Sequence, residues 1–457
     1  MVLSILDDLR SRWAVRDVVV IALVAVFYGV LYVCTRRHSA TGVGASIAKE
    51  PEDDYSERST FTVEDKPAEN DTKRGRAPNP LYGHKATTPE GGRLPDPDPL
   101  PDFDLSHASL REYVYANRTL RYPYFQTMAH QPMHVNDWIE IDSEYAWYLD
   151  EKARVIAKRG TKVLDSLPEN DDACAELLAT LVEHLPQRFP TLFARLPPPG
   201  RGIWNRVTNE RFSATDGLRG VDALRVVSRL VQDDFLMARE RPDGQVYLVG
   251  GLLAFPGSYL LSEHIGQPLH ALHAAVPHFA EKILRSVART LVRFPPDRPF
   301  ERSSWMVVDD RNLFWHNIAS NPLRETQRPK DLFLRIDHQT FRKLPRTSGI
   351  VFGMPRSVSL AHVTPNAWSP ARHPVLKRMG DLADTPLVPA LLAKMHTESD
   401  EALLKYKGAP KYSALLLPYL EQCTRSQIAR GLVQDEDLED VVNFRELAGR
   451  VHLEEST

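Results

Sequence analysis

The sequence predicts an α+β domain with a mainly antiparallel sheet flanked by helices, preceded by a transmembrane helix and a disordered tether. Apolar residues recur at helical spacing in residues 173–185 and again after Pro277. Short apolar runs bounded by turn residues, as in residues 245–255, are typical of strands. The two patterns alternate along the chain without an internal repeat, and together they favour a sheet covered by helices.

A long apolar run near the N-terminus predicts a transmembrane helix over residues 18–35. The run VVVIALVAVFYGVLYVC carries no charge and would rise about 26 Å as a helix, close to the ~30 Å thickness of the hydrocarbon layer. The residues after it are a poor signal-peptidase site, so we expect an anchor in the lipid bilayer and not a cleaved signal peptide. Its short length suits the endoplasmic reticulum, which predicts a single-pass protein of that membrane. Basic residues on its two sides are nearly balanced and leave the orientation open.

Three further regions are predicted around this helix. Residues 1–17 form a short tail, and residues 36–107 form a tether in which LPDPDPLPDFD (residues 94–104) is the extreme case. Closely spaced prolines prevent helix formation, and so few apolar residues cannot form a core. Residues 108–457 are long enough for one large globular domain. Within it, residues 331–344 are predicted to be a helix, with an extended first part as the alternative.

Composition and motifs exclude several classes of function. The net charge is −3, and no stretch combines aromatic residues with a dense stripe of lysine and arginine, so we expect no nucleic-acid partner. Three cysteines without a CxxC pair provide neither a disulfide framework nor a thiolate zinc site. Walker, GxGxxG, GxSxG and HExxH motifs are absent from the sequence, which removes the ordinary nucleotide-binding, serine hydrolase and zincin classes.

A predicted strand–turn–helix junction in residues 250–277 carries three closely spaced histidines. Neutral imidazole is a good iron ligand, and the neighbouring leucines would provide an apolar wall for a metal or a haem. Three arginines further along the chain are candidate partners for haem carboxylates, with ordinary surface charge as the alternative for each. No residue is assigned a catalytic role. The histidines are His264, His270 and His273, and the arginines are Arg302, Arg335 and Arg342.

Several short segments, taken together, resemble one known family. They are NDWIEID (136–142), LVQDD (230–234), GGLLAFP (250–256), IGQPL (265–269), LHAAVP (272–277), RSSW (302–305) and LRIDHQTFRKLP (334–345). Each is short, but their order and spacing across residues 122–363 are specific. They resemble the haem-dependent oxidative N-demethylase α-subunit-like family.

The resemblance implies a fold, a cofactor and a reaction. It implies a PAS-like fold that holds a b-type haem and an oxygen-dependent oxidation of a small methylated amine, which releases formaldehyde. It also implies electrons from NADPH, delivered through a separate flavin or iron–sulfur reductase. On the matching positions, His273 is the expected ligand of the haem iron, with His270 as a second choice.

Three positions depart from the pattern of the family, and two other functions stay open. Ala275 replaces a proline, Ser304 replaces an asparagine, and His338 replaces an arginine. A domain altered in this way could be a non-catalytic PAS-type sensor of haem or another ligand. The layout of short tail, single span and proline-rich stem is also that of a type II membrane glycosyltransferase.

Overall fold

A large antiparallel sheet with helices on both of its faces forms the centre of the molecule, as the sequence predicts. The computed structural model describes residues 94–108, 120, 128, 130–197, 202–256, 259–309, 322–354 and 376–439. The predicted tail and transmembrane helix and most of the predicted tether lie outside these residues. Among the helices that are described, none is long and apolar enough to cross a membrane.

The strands of the described residues form two sheets. The main sheet has the order β1-β8-β9-β10-β6-β7-β2, β11 also pairs with β9, and the pairs are antiparallel. The smaller sheet has the order β3-β4-β5. The strands are β1 (Gln131–Pro132), β2 (Leu164–Ser166), β3 (Phe193–Leu196), β4 (Gly202–Asn205), β5 (Glu210–Phe212), β6 (Asp234–Glu240), β7 (Val246–Leu252), β8 (Phe300–Val308), β9 (Phe333–Lys343), β10 (Ile350–Met354) and β11 (Leu376–Arg378).

The helices vary widely in length. The predicted helix over residues 173–185 is confirmed, although it continues past Pro186 to Arg188. The α-helices are α1 (Tyr145–Arg159), α2 (Asp171–Arg188), α3 (Gly220–Val227), α4 (Leu261–His264), α5 (Leu269–Leu272), α6 (Leu284–Arg293), α7 (Met379–Leu382), α8 (Val388–Glu398), α9 (Glu401–Tyr406), α10 (Ala409–Ala429) and α11 (Asp435–Glu439). A π-helical turn, Phe279–Ile283, leads into α6, and short 3₁₀ helices lie at Leu105–His107, Val135–Asp137, Gly160–Lys162, Pro168–Asn170 and Pro329–Asp331.

The helix predicted for residues 331–344 is wrong, because this segment is the long strand β9. It pairs with β8 along nine residues, from Phe333 opposite Val308 to Phe341 opposite Phe300. The strand is buried on both faces, so its apolar residues do not form a one-sided alternating pattern. Burial in the middle of a sheet overrides a local pattern of this kind.

Side chains of the main sheet point alternately to two faces, which we name the front and the back. The front face carries Phe300, Phe341 and Ile350, which pack against α5, the π-helical turn and α6. The back face carries Trp305 and Ile336, which pack against α8 and α10. At the other end of the back face, β6 and β10 pack against α2.

The last part of the predicted tether packs against the domain. Leu100, Phe103 and Leu105 lie against the core that contains α2. The amide of Leu100 donates a hydrogen bond to the carbonyl of Arg188 at 2.8 Å. Residues 100–105 therefore pack against the domain, although the predicted N-terminal boundary of the domain is residue 108.

Candidate functional site

The segment between β7 and α6 covers the front face and carries the three histidines. Its apolar residues hold it in place, since Leu261, Ile265 and Leu272 pack with Leu248 and Met354 of the sheet. The backbone is also tied to the strand, because the amide of Gly266 donates to the carbonyl of Leu248 at 2.7 Å. Gly266 has φ +84°, which favours glycine at this turn.

His273 follows α5 directly and has the hydrogen bonding of a metal-binding imidazole. Its Nδ1 lies 3.0 Å from the carbonyl oxygen of Leu269. A carbonyl only accepts, so Nδ1 carries the proton and Nε2 of the neutral ring has a free lone pair. No residue that the structure describes forms a hydrogen bond with Nε2. The ring stacks on Phe279 at 4.2 Å with an interplanar angle of 8°.

The surroundings of His273 keep its ring neutral. Burial is the main cause that lowers the pKa of His273, and the positive charge of Arg302 lowers it further. The bond to Leu269 raises this pKa but does not reverse the shift. A neutral imidazole is the form that binds a metal.

The other two histidines of the segment have different surroundings. His270 is exposed to solvent. His264 is partly buried and stacks on Tyr259 at 3.8 Å. Its Nδ1 is buried without a hydrogen bond in the described residues, and burial lowers its pKa. The structure therefore brings only His264 and His273 into the layer that covers the sheet.

Two of the three predicted arginines lie on the front face with His273. Arg302 of β8 is in register with Gln339, and Arg335 of β9 is in register with Met306. Both lie an even number of residues from a front-face phenylalanine of their own strand. Arg335 is 4% exposed, and its Nε donates to Asp337 at 2.8 Å. Its Nη1 is buried without a hydrogen bond to any described residue.

Tyr148 supplies a further buried polar group on this side of the sheet. Its side chain is fully buried against Phe255, with ring centroids 5.6 Å apart. The hydroxyl has no hydrogen-bond partner among the described residues. Burial raises the pKa of Tyr148 well above its usual value, and the charge of Arg335 opposes this shift. The hydroxyl is therefore a neutral donor near Arg335.

Arg342, the third predicted arginine, lies on the other face. It is in register with Val351, whose side chain belongs to the back-face core. Its guanidinium lies over the ring of Trp138 at 4.1 Å. The structure thus separates Arg342 from Arg302 and Arg335.

The three departures from the family pattern also divide between the faces. Ala275 is exposed. Ser304 lies on the front face and is in register with Asp337. His338 lies on the back face, where its Nε2 is 2.9 Å from the Oε2 of Glu301 and both side chains are buried. Of the three departures, only Ser304 is a position of the sheet on the face that His273 covers.

This chain matches one known protein family. The family model described as haem-dependent oxidative N-demethylase, alpha subunit-like, matches residues 129–359, which span β1 to β10. The chain belongs to this family. No curated protein matches it. The matched region contains His273, all three arginines and the three departures.

The polar groups of the front face have the chemistry that a haem needs. Haem iron receives four ligands from its porphyrin and needs one or two from the protein, so one neutral imidazole is sufficient. The bond from His273 to Leu269 is the usual support of a ligating histidine. The Nη1 of Arg335, which has no hydrogen bond to a described residue, is suited to a haem carboxylate, and the segment that carries His273 packs against apolar side chains of the sheet. Within the described residues, no three His, Cys, Asp or Glu side chains converge on a point where they could hold a bare metal ion.

Sequence reasoning missed Asp337 and Tyr148 as members of this site. Arg335 and Asp337 are two residues apart, which places them on one face of a strand but not of a helix. A strand assignment for β9 would have revealed the pair. Tyr148 gave no local signal, because α1 is far from β9 in the sequence.

Proposed function

We propose that this chain is a haem-binding oxidoreductase subunit that acts as an oxygen-dependent N-demethylase on a small methylated amine. The observation that carries the proposal is the geometry of His273, whose Nδ1 is held by Leu269 and whose Nε2 faces no described partner. The haem, when bound, would supply the oxidation of the amine by dioxygen. Its PAS-like fold, its b-type haem and its release of formaldehyde are parts of the same proposal.

Each front-face residue has a role that its surroundings support. His273 would ligate the iron through Nε2. Arg302 and Arg335 would bind the haem carboxylates, with Asp337 fixing the guanidinium of Arg335. The hydroxyl of Tyr148 would donate a hydrogen bond within a region from which water is excluded. Arg342 has no part in this proposal because it lies on the back face.

The proposal also includes a membrane anchor and an electron donor. The apolar residues 18–35 would hold the subunit in the membrane of the endoplasmic reticulum. Electrons would come from NADPH through a separate flavin or iron–sulfur reductase. Membership in an alpha-subunit-like family supports an assembly with further components.

Haem titration of the full chain tests the central claim. We expect a Soret band that saturates at one haem per chain, and loss or a large shift of this band in His273→Ala. His270→Ala is the matched control, because His270 lies three residues away but is exposed, and it should leave the band unchanged. A wild-type chain without a Soret band, or a His273→Ala band equal to that of the wild type, contradicts the proposal.

A second candidate function is a haem sensor without turnover. The observation that favours it is Ser304, which lies on the front face opposite Asp337 in place of the asparagine of the family pattern. Formaldehyde release from dimethylamine, with a reductase and oxygen present, separates the two functions. A haem-loaded chain that releases none favours the sensor, and Ser304→Asn should then restore activity if this position is the cause. The family match gives no support to the glycosyltransferase alternative.

A further inference from the structure

A cavity lies on the back face, away from His273. It has a volume of about 310 Å³. Its walls are the segment 94–97, one side of α2 and the end of β9 with the turn that follows it. The lining includes Arg342, His184 and several apolar side chains, among them Leu94, Val135 and Pro345. This volume is at the lower end of the range of small-molecule sites.

Two side chains that line this cavity, and a third that packs against both of them, have polar atoms without partners among the described residues. The guanidinium of Arg342 forms no hydrogen bond to any described residue, and its Nε and Nη1 are buried. The Nε2 of His184 and the Nε1 of Trp138 are also buried without partners in the described residues. His184 is 4% exposed and Trp138 is 1% exposed. Trp138 contacts both of the other side chains. The centroid of its ring lies 4.1 Å from the Cζ of Arg342 and 5.1 Å from the ring centroid of His184.

No carboxylate of the described residues is bonded to the guanidinium of Arg342. Burial lowers the pKa of Arg342 to about 10, and Glu176 opposes the shift from a distance. Glu176 itself accepts hydrogen bonds from the amides of Arg346 and Thr347, both at 2.8 Å. Asp96 and Glu183 also line the cavity but form no hydrogen bond with the guanidinium. A buried cation without a bonded anion is costly, which points to a ligand that supplies the anion.

We propose that this cavity binds a small carboxylate with an apolar body. The guanidinium of Arg342 would pair with the carboxylate, since its planar fork matches that geometry. The apolar body would lie against Leu94, Val135 and Pro345. Burial lowers the pKa of His184 to about 3, so its ring is neutral at pH 7 and the positive charge that pairs with the carboxylate comes from Arg342. This site is separate from the proposed haem site, and neither depends on the other.

Fluorine NMR of the full chain labelled with 5-fluorotryptophan tests this proposal. Trp138→Phe assigns the signal of Trp138 among those of the seven tryptophans. We expect benzoate to shift the Trp138 signal saturably, and neutral benzamide to shift it at much higher concentration. Inorganic phosphate should compete weakly, because it has no apolar body.

Two variants make the test specific. Arg342→Met should weaken benzoate binding at least about tenfold, because it removes a charge-assisted hydrogen bond. Arg211→Met is the matched control, since Arg211 lies over Trp204 at 4.4 Å but is exposed and does not line the cavity. It should bind benzoate as the wild type does.

Several outcomes overturn the proposal. If benzoate does not shift the Trp138 signal of the wild type saturably, the proposal is wrong. This outcome needs no variant, so misfolding of Arg342→Met cannot obscure it. Equal binding of benzoate and benzamide contradicts recognition of an anion. Phosphate that competes as well as benzoate contradicts the apolar body, and unchanged affinity in Arg342→Met contradicts the assigned cation.

Discussion

Arg335 and Arg342 leave the same strand on opposite faces of the sheet. They are seven residues apart in β9, and Arg335 is in register with Met306 while Arg342 is in register with Val351. Side chains of a strand alternate, so an odd separation places them on different faces. Arg335 is held by Asp337 on the front, and Arg342 lies over Trp138 on the back. One strand thus serves two candidate sites with different chemistry.

The two arginines should respond differently when haem affinity is measured. Arg335→Met removes a charge-assisted bond to a haem carboxylate and should weaken haem binding about 10- to 100-fold. Arg342→Met should leave haem affinity unchanged, because its side chain is on the back face. Haem titration followed by absorbance measures both.

The Arg335 variant needs one control, since it leaves Asp337 without its bonded cation. Arg335→Met combined with Asp337→Asn removes the charge of the carboxylate that has lost Arg335, and separates loss of stability from loss of haem affinity. Equal haem affinity of the wild type and both Arg335 variants would remove Arg335 from the proposed site.

Sequence patterns predicted some features of this molecule and missed those that depend on strand pairing. The antiparallel sheet with helices on both faces followed from local patterns, whereas the role of His273 stays a prediction that rests on a resemblance. The helix predicted for residues 331–344 failed because β9 is buried on both faces. The sequence also gave no sign that Arg342 and Arg335 lie on different faces, because only the strand register shows which side chains share a face. His184 and Trp138 meet Arg342 through tertiary packing, which no local motif records.

His338 should affect stability and not haem binding. Its Nε2 lies 2.9 Å from Glu301, and both side chains are buried on the back face. His338→Phe removes one partner of a buried carboxylate, which should lower the free energy of unfolding by about 3 kcal/mol. Urea unfolding measures this loss, and the Soret band of the folded variant should match that of the wild type. A shifted Soret band with unchanged stability would contradict the back-face position.

Lys152 should be one of the most sensitive positions in the fold. Its side chain is fully buried, its ammonium donates to the carbonyl oxygens of Val231 and Asp233, and it lies 3.4 Å from Asp234. Lys152→Met leaves the buried carboxylate of Asp234 without this cation and should lower the free energy of unfolding by about 3–5 kcal/mol.

Two comparisons make the Lys152 measurement specific. Lys158→Met changes an exposed lysine of the same helix and should alter stability by less than about 0.5 kcal/mol. Lys152→Met combined with Asp234→Asn should recover part of the loss, because the unpaired charge is removed. A Lys152→Met chain as stable as the Lys158→Met chain would mean that the buried pair does not stabilise the fold.

His184 should make stability depend on pH between about 3 and 6.5. Burial is the main cause that lowers its pKa from 6.5 to about 3, and the charges of Arg342 and Arg188 add to it. Between these two values the unfolded chain binds the proton and the folded chain does not. The contribution of His184 to stability is therefore complete above pH 6.5 and is lost as the pH falls toward 3, with a slope of at most about 1.4 kcal/mol per pH unit.

Urea unfolding at a series of pH values, in a buffer without carboxylates, measures the slope. His184→Gln cannot take up this proton, so the difference in unfolding free energy between wild type and variant should change with pH only within this window. A difference that stays constant from pH 7 to pH 5 would show that the folded chain protonates His184 as readily as the unfolded chain does.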